Sequence, residues 1–485
     1  MYVLGVDFGG GAGKATLLDK SGTVIASAAA EYPTFYGEDG KAEQNPADWY
    51  RAACINIRNV TKNIDAGKID CVCFDAATHT AVLLDDAFGP LCNAVYWTDT
   101  RCREQAERLK KERGEDIFAR FKHCPDTIWT LPQLMWLREN RPETYSAAKK
   151  IMFAKDYVRH CFTGDFLTDR IEAQGSMLFD YDEEAWSDEY LGLAGLNKSN
   201  MPRVVNPSDF AGKVIASAAA DSGLKAGTPV IVGATDTAME VFAAGAVKKG
   251  DMTVKLATAG RICLITDRLE ADRQLVTYSH LEKGLYYPGT ATKSCAASLR
   301  WFRDAFGGDY RRFDEEAALI PAGSGGLMFH PYLSGELTPY GNAALRGAFT
   351  GITAAHTKEH FARAVMEGVA LSLKDCFLYL KNKGFRLPQQ ATIIGGGAKS
   401  AVWRQITADA LGIGLTAVEN SDSSLGAAML AGCAAGFFPS LEKAAETCRR
   451  PAADTVCNLR TAEIYDKNFA RYKKTAEFLG SIADE

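Results

Sequence analysis

"GVDFGGGAGKATLLD", Gly5 to Asp19, carries a run of glycines with a lysine close behind, the composition of a phosphate cradle. A Walker loop needs a glycine five residues ahead of its Gly-Lys pair and a hydroxyl residue after it. Phe8 holds the first of those positions and Ala15 the second. A dinucleotide fingerprint needs Gly-x-Gly-x-x-Gly running into a helix, and Gly9, Gly11 and Gly13 have the wrong spacing. Beyond the glycines the chain is β-rich. "KATLLDKSGTVIASAAAEYP" is an apolar run, an Asp-Lys-Ser-Gly turn and a second apolar run, the grammar of a hairpin. The glycines therefore join two strands of one sheet. With Asp7 before the bend and Lys14 after it, backbone N–H groups can face an anion, because glycine puts no side chain in the way. An ordinary glycine-rich hairpin fits the same residues.

The same grammar returns in "GDMTVKLATAGRICLITDRLE", Gly250 to Glu270. Met252 to Leu256 read as a strand, Ala257 to Gly260 as a small-residue bend, and Ile262 to Thr266, after the basic Arg261, as a second strand. Two such hairpins about 245 residues apart suggest a duplicated architecture with the bends facing a cleft, where ligand sites concentrate. Chance likeness of short Gly/Ala bends is the competing explanation. Between the hairpins, "IDCVCFDAA", "NAVYWTD" and "TPVIVGATD" alternate with helical runs such as "PQLMWLRENRPETYSAA", an α/β pattern. The boundary is expected near "AGAVKKGD", giving domains 1–247 and 248–485.

At 485 residues the chain is too long for one ordinary core, and 47% hydrophobic with 24% charged residues is usual for a globular protein. A net charge of -5 and the absence of a long basic run exclude a nucleic-acid surface. No apolar run reaches the ~18 residues of a membrane span, and "MYVLGVDFGG" lacks the basic start of a signal peptide. The thirteen cysteines form no Cys-x-x-Cys pair. Reduced thiols in a cytoplasmic protein, rather than disulfides or zinc, are the expectation.

Two segments carry candidate chemistry. In "TPVIVGATDTAMEVFAAGAV", Val230 to Gly233 read as a buried strand and Ala238 to Ala246 as a helix. Asp236 stands at the strand's carboxyl end, where α/β sheets place ligands, and can take a proton from a hydroxyl. Capping the following helix is the other use of an aspartate there. In "ATIIGGGAKSAVWRQITADALG", a strand meets three glycines and then a helix bearing Trp403, Ile406 and Ala410. Such a turn lets backbone lie flat on a planar ligand beside a helix N-terminus, as for a nucleotide; tight packing uses glycine as well. The stripe Phe361, Val365, Val369, Leu373, Phe377 and Leu380 is core of the second half.

Taken in order, "EQNPADWY", "AVYWTDTRC", "PYLSGELTPY", "GGGAKSAVWRQITADALG" and "SLGAAMLAG" resemble the FGGY carbohydrate kinases, and among them the xylulokinases, over essentially the full length. Gly347-x-Phe349-x-Gly351-Ile352, followed by His360-Phe361 and Ala364 to Glu367, is similar to the later family signature. The resemblance implies an α/β fold of two actin-like, ribonuclease-H-like ATPase domains closing over ATP and a sugar. It implies that Asp7, Gly10, Gly11 and Lys14 form a first phosphate loop, with Asp7 near Mg²⁺. Thr258 and Gly260 would belong to a second phosphate loop, Gly396, Gly397 and Ala398 to the adenosine loop, and Asp236 would be the catalytic base. Thr78, His79, Trp97, Asp99, Arg101 and Thr237 fall on the sugar side. Trp97 as packing, Asp99 with Arg101 as a structural ion pair, and His79 as a core histidine are the alternatives. The implied partners are a small sugar or polyol, no nucleic acid, no membrane, and a second copy of the chain in a homodimer.

The chain departs from the family in its loops and its sugar segment. Gly10 and Gly11 replace the hydroxyl residues of an Asp-x-Gly-Thr loop, and Ala257-Thr258-Ala259-Gly260 replaces Gly-Thr-Ser-Gly. Ala76-Ala77-Thr78-His79-Thr80 stands for Gly-Gln-Met-His-Gly, Asp236-Thr237 for Asp-Asn, and Gln133 for the lysine of the earlier signature. The function expected is phosphorylation of a ketose, xylulose-like or a related polyol. A non-sugar ATPase of the actin-like group and a catalytically weak sugar-binding regulator are the alternatives.

Overall fold

A computed structural model describes residues 1–483. In the first half, β1 (Tyr2–Phe8), β2 (Ala12–Asp19) and β3 (Val24–Glu31) are followed by α1 (Pro46–Thr61) and β4 (Ile69–Ala76). Then come β5 (Phe210–Lys213), β6 (Pro229–Ile231) and α2 (Asp236–Ala243). The strands form one sheet in the order β5-β6-β4-β1-β2-β3. The β1–β2–β3 meander is antiparallel, whereas β4 runs parallel to β1 and β6 parallel to β4. β1 is buried from Val3 to Phe8, as a strand covered on both faces must be. β3 is the edge strand, largely exposed and built from small residues.

The second half repeats this order. Its strands are β7 (Met252–Leu256), β8 (Gly260–Leu264), β9 (Val276–Ser279), β10 (Tyr286–Thr292), β11 (Gln390–Ile394), β12 (Gly414–Val418) and β13 (Pro451–Thr455). They lie in the order β9-β10-β8-β7-β11-β12-β13. β7, β8 and β10 make the antiparallel meander, and β11 and β12 add parallel to β7. The main helices are α3 (Ala296–Phe306), α4 (Lys358–Asn382), α5 (Ala401–Leu411) and α6 (Ser423–Ala434). α4 buries the Val365, Val369, Leu373, Phe377 and Leu380 stripe in the second core.

Helix α6 belongs to the second half in sequence but packs against the first sheet, sharing one core with β1, β4 and α2. Its small residues make this possible. A Cβ on Gly5 of β1 would stand 2.0 Å from the Ser424 carbonyl oxygen, and one on Gly426 would stand 2.1 Å from that of Met239. Backbone meets backbone at both points, so neither contact can relax by a rotamer change. Gly426→Ala should therefore destabilise the protein by about 1–3 kcal/mol or more, read as a lower urea midpoint. An unchanged midpoint would mean that the helix slides outward without loss.

Candidate active site

Three acids meet where three neighbouring parallel strands end. Asp7 near the end of β1 is the register partner of Asp75 on β4 and of Lys14 on β2. Beyond β6 the chain turns at Gly233, in the left-handed region at φ 78, where a Cβ would sit 1.9 Å from the Phe74 carbonyl oxygen. The turn brings Thr235 into a bridge with Ala76, and Asp236 comes next. Carboxyl ends of parallel strands are where open α/β sheets bind ligands.

The cap of α2 is not Asp236. The Thr235 side chain accepts from the Ala238 N–H, and Asp236 is the first helical residue. Its Oδ1 accepts only from Thr237, at 2.6 Å from the N–H and 3.3 Å from the hydroxyl. Burial, then the Asp7 charge, pushes the Asp236 carboxyl up to about 7, against the pull of Lys255. Asp7 and Asp75 lie close enough to share a proton. Unshared, Asp7 Oδ1 and both Asp75 oxygens would be buried with no partner. Burial raises both, and Asp75 is held well above the carboxylate range by burial and by Asp7.

Both hairpin bends turn their carbonyls inward. The Gly10 carbonyl accepts from Thr34 Oγ1 at 2.5 Å and Gln44 Nε2 at 3.1 Å, and the Gly11 carbonyl from the Tyr32 N–H at 3.1 Å. In the second bend, the Ala257 and Thr258 carbonyls accept the N–H groups of Cys295, Ala296 and Ala297 at the start of α3. Those orphan helix donors are thereby satisfied, and the bend is pinned. Among the described residues, the N–H groups of Gly10, Gly11, Thr258 and Ala259 donate to nothing. Lys14 reaches Asp422 at 3.3 Å and is half exposed.

A cavity of about 600 Å³ opens between the second bend and the glycine turn, lined by Thr258, Leu299, Arg300, Tyr310, Gly396, Gly397 and Trp403. Gly395 holds the turn at φ 93 with a Cβ position 2.6 Å from the Leu256 carbonyl oxygen, while a Cβ on Gly396 would meet no protein atom. Ala398 and Gly260 lie buried behind the lining. Ser400 caps α5 by accepting from the Trp403 N–H and donates to Asp314 at 2.7 Å.

The sugar-side residues divide. His79 is buried at φ 69, with its N–H on Glu172 at 2.7 Å and Nε2 2.8 Å from the Tyr278 hydroxyl, while Nδ1 has no hydrogen-bond partner. Its ring lies where a Cβ of Gly175 would be, 1.8 Å from Cε1. Burial holds it well below the usual histidine range, hence neutral. Thr78 is partly exposed beside Tyr278, and Thr237 is partly exposed beside Asp236. Asp99 and Arg101 are committed elsewhere. Asp99 accepts from the Ala42 and Arg101 N–H groups, and Arg101 bonds Asp99 and Glu43 while stacking on Trp136 at 4.2 Å. Trp97 is 40% exposed.

Sequence reasoning missed Asp75, the ion pair of Lys255 with Glu240 at 2.7 Å near Asp236, and Tyr96, whose hydroxyl faces Gly10. Asp75 was open to discovery, since it ends "IDCVCFDA" as Asp7 ends its strand. Among the described residues no group of three or more His, Cys, Asp or Glu side chains is placed to hold a metal. The orphaned Asp7 Oδ1 nevertheless fits Mg²⁺, which keeps most of its waters and needs one or two carboxylates beside substrate phosphates.

Known proteins share this architecture. The xylulose kinase of Bacillus subtilis is 31% identical over 479 residues, 97% of this chain and 96% of the relative. The gluconokinase of the same organism is 30% identical over 459 residues, 91% and 89% of the two chains. The crystal structure of a xylulose kinase from Rhodospirillum rubrum superposes with a TM-score of 0.93 at 27% identity, covering 100% of both chains. The N-terminal domain profile of the FGGY family of carbohydrate kinases matches residues 2–243 and its C-terminal domain profile matches residues 269–435. The chain belongs to the FGGY family of carbohydrate kinases, an actin-like α/β sugar kinase.

Proposed function

We propose that this kinase transfers the γ-phosphoryl group of ATP to a hydroxyl of a ketose or related polyol, with Asp236 as the base. The observation that carries this reading is Asp236 itself. It is a cleft acid released from helix capping by Thr235, and its environment poises it near neutrality. The hydroxyl proton passes to an Asp236 oxygen as the acceptor oxygen bonds to the γ-phosphorus. The bond from that phosphorus to its bridging oxygen breaks, and ADP leaves. Bound Mg²⁺ would offset charge on the transferred group, beside Asp7.

The free N–H groups of Gly10, Gly11, Thr258 and Ala259 support an anion between the two bends. The cavity at Gly396 and Gly397 supports an adenosine site, and Thr78 with Thr237 an acceptor site. Ala398, Gly260, Asp99 and Arg101 take supporting positions behind these surfaces, and His79 orients Tyr278. No described helix is long and apolar enough to cross a membrane, and we place the enzyme in the cytoplasm with its ATP.

Two measurements test this account. A base near 7 makes kcat/KM fall on the acid side with an apparent pKa close to that value. Lys255 lowers the Asp236 pKa and Glu240 raises it, so Lys255→Met should move the acid limb up and Glu240→Gln should move it down. Limbs that ignore both variants would assign the profile to another group. For the acceptor, Thr78 and Thr237 stand where the resembled kinases carry methionine and asparagine. Thr78→Met with Thr237→Asn should shift kcat/KM between pentuloses and hexuloses by about 10–200-fold. An unchanged ranking would remove these residues from the acceptor site.

A further inference from the structure

Tyr96 follows the short strand Ala94–Val95, which pairs with the strand Ala42–Gln44. Its backbone is held on both sides. The Tyr96 N–H donates to the Ala42 carbonyl at 2.9 Å, and its own carbonyl accepts the Asp99 N–H at 2.9 Å. Gln44 of the partner strand donates to the Gly10 carbonyl at 3.1 Å, so one small sheet fixes both the first bend and the tyrosine. The ring is buried with Ala42 and Ala77. Ala77 stands where the resembled kinases carry glutamine, so the ring packs on a methyl group in place of a longer polar chain.

The far end of that ring is aimed at the first bend. A Cβ on Gly10 would stand 3.2 Å from the Tyr96 hydroxyl oxygen and 3.8 and 3.9 Å from Cζ and Cε1, its three nearest contacts. Gly10 is exposed, and a Cβ on Gly11 beside it would meet nothing within 4 Å, so the bend opens on free space. In an Asp-x-Gly-Thr loop the threonine hydroxyl projects from the position of Gly10. Here that position has no side chain, and the hydroxyl beside it comes from Tyr96. Its proton is not committed. Trp97 is the side chain that hydrogen-bonds Tyr96, and an indole N–H only donates. Burial first, then the Asp236 charge, with Asp7 adding to it, holds the hydroxyl above the usual tyrosine range, so it stays protonated.

We propose that the Tyr96 hydroxyl replaces the missing loop hydroxyl, donating a hydrogen bond to a γ-phosphoryl oxygen of ATP seated on the Gly10 and Gly11 N–H groups. The proposal rests on the sugar-kinase reading and adds a catalytic donor to it. Charge on those oxygens must be offset as the phosphoryl group transfers, and a donor fixed in advance does so without reorganising.

The test combines kinetics and binding in wild type, Tyr96→Phe and the double variant Tyr96→Phe with Gly10→Thr. Tyr96→Phe should lower kcat by about 10–100-fold and leave the acceptor KM unchanged. Calorimetric titration without acceptor should show the β,γ-imido analogue of ATP binding Tyr96→Phe about 3–10-fold more weakly than wild type, and ADP binding both equally. The double variant, which returns a hydroxyl to the loop and removes the one that would crowd it, should recover most of the lost kcat. Normal turnover in Tyr96→Phe would overturn the proposal. So would a raised acceptor KM at unchanged kcat, which would put the hydroxyl on the sugar, or an equal loss of ADP and analogue binding, which would make it structural. A folded double variant no faster than Tyr96→Phe would likewise deny that the hydroxyl acts at Gly10. Failure of wild type to phosphorylate any acceptor would bring down the sugar-kinase reading, and the proposal with it, whereas loss of the analogue-specific binding effect alone would bring down only the proposal.

Discussion

Asp236→Asn should reduce kcat by about 10²–10⁴ while the protein folds and binds ATP as before. The substitution keeps the shape of the side chain, and its amide oxygen can still accept from Thr237. Thr235 caps the helix, so α2 loses no cap. What disappears is an oxygen able to hold the departing proton. Removing a carboxyl that burial, and then the Asp7 charge, pushes up to about 7 also relieves desolvation and repulsion, so the melting temperature should hold or rise. Near-normal turnover in a well-folded Asp236→Asn would leave the acid without a catalytic part. A fall in kcat with a collapsed melting profile would show a structural part instead.

Gly396→Trp should raise the KM for ATP by about 10–100-fold and the KM for the acceptor far less. The surroundings of this glycine set that expectation. It is not in the left-handed region, and a Cβ there meets no protein atom, so a large side chain can grow only into the cavity. The neighbouring glycines behave otherwise: Gly395 is strained by any side chain and Gly397 abuts Leu256. Substituting those would mix folding damage with lost binding. Displaced adenosine contacts cost affinity without touching Asp236, so kcat at saturating ATP should change little. Equal rises in both KM values, at an unchanged melting temperature, would put the nucleotide elsewhere.

The hairpins could be read from sequence because their bends are marked by glycine and alanine between β-rich runs, and both bends fall where expected. Boundaries were less legible. The strand after the second bend begins at Gly260, two residues ahead of Ile262, because Arg261 pairs with Lys255. α2 spans Asp236–Ala243 rather than Ala238 to Ala246, since the Thr235 hydroxyl starts it early and Gly245 at φ 86 ends it. "NAVYWTD" yields only Ala94–Val95, the remainder being a loop clipped by Asp99 and Arg101. The helical run near Pro132 breaks before Pro142, as the residue ahead of a proline favours.

The positions of acids at strand ends, such as Asp7 and Asp236, could be read from the sequence. What a side chain meets across the fold could not. The loss of a loop hydroxyl at Gly10 was plain, but the Tyr96 hydroxyl that faces it is remote in sequence. Asp99 and Arg101 also needed the fold, because their partners Ala42 and Glu43 arrive from another strand.

The measurement that bears most directly on the sugar-kinase mechanism is the stoichiometry of ADP released to acceptor phosphorylated, with and without acceptor. Closure around a sugar kinase's two substrates predicts one ADP per phosphorylated acceptor, negligible ATP turnover alone, and loss of both products together in Asp236→Asn. Fast ATP turnover that is indifferent to every ketose and polyol, and unaffected by Asp236→Asn, would contradict it.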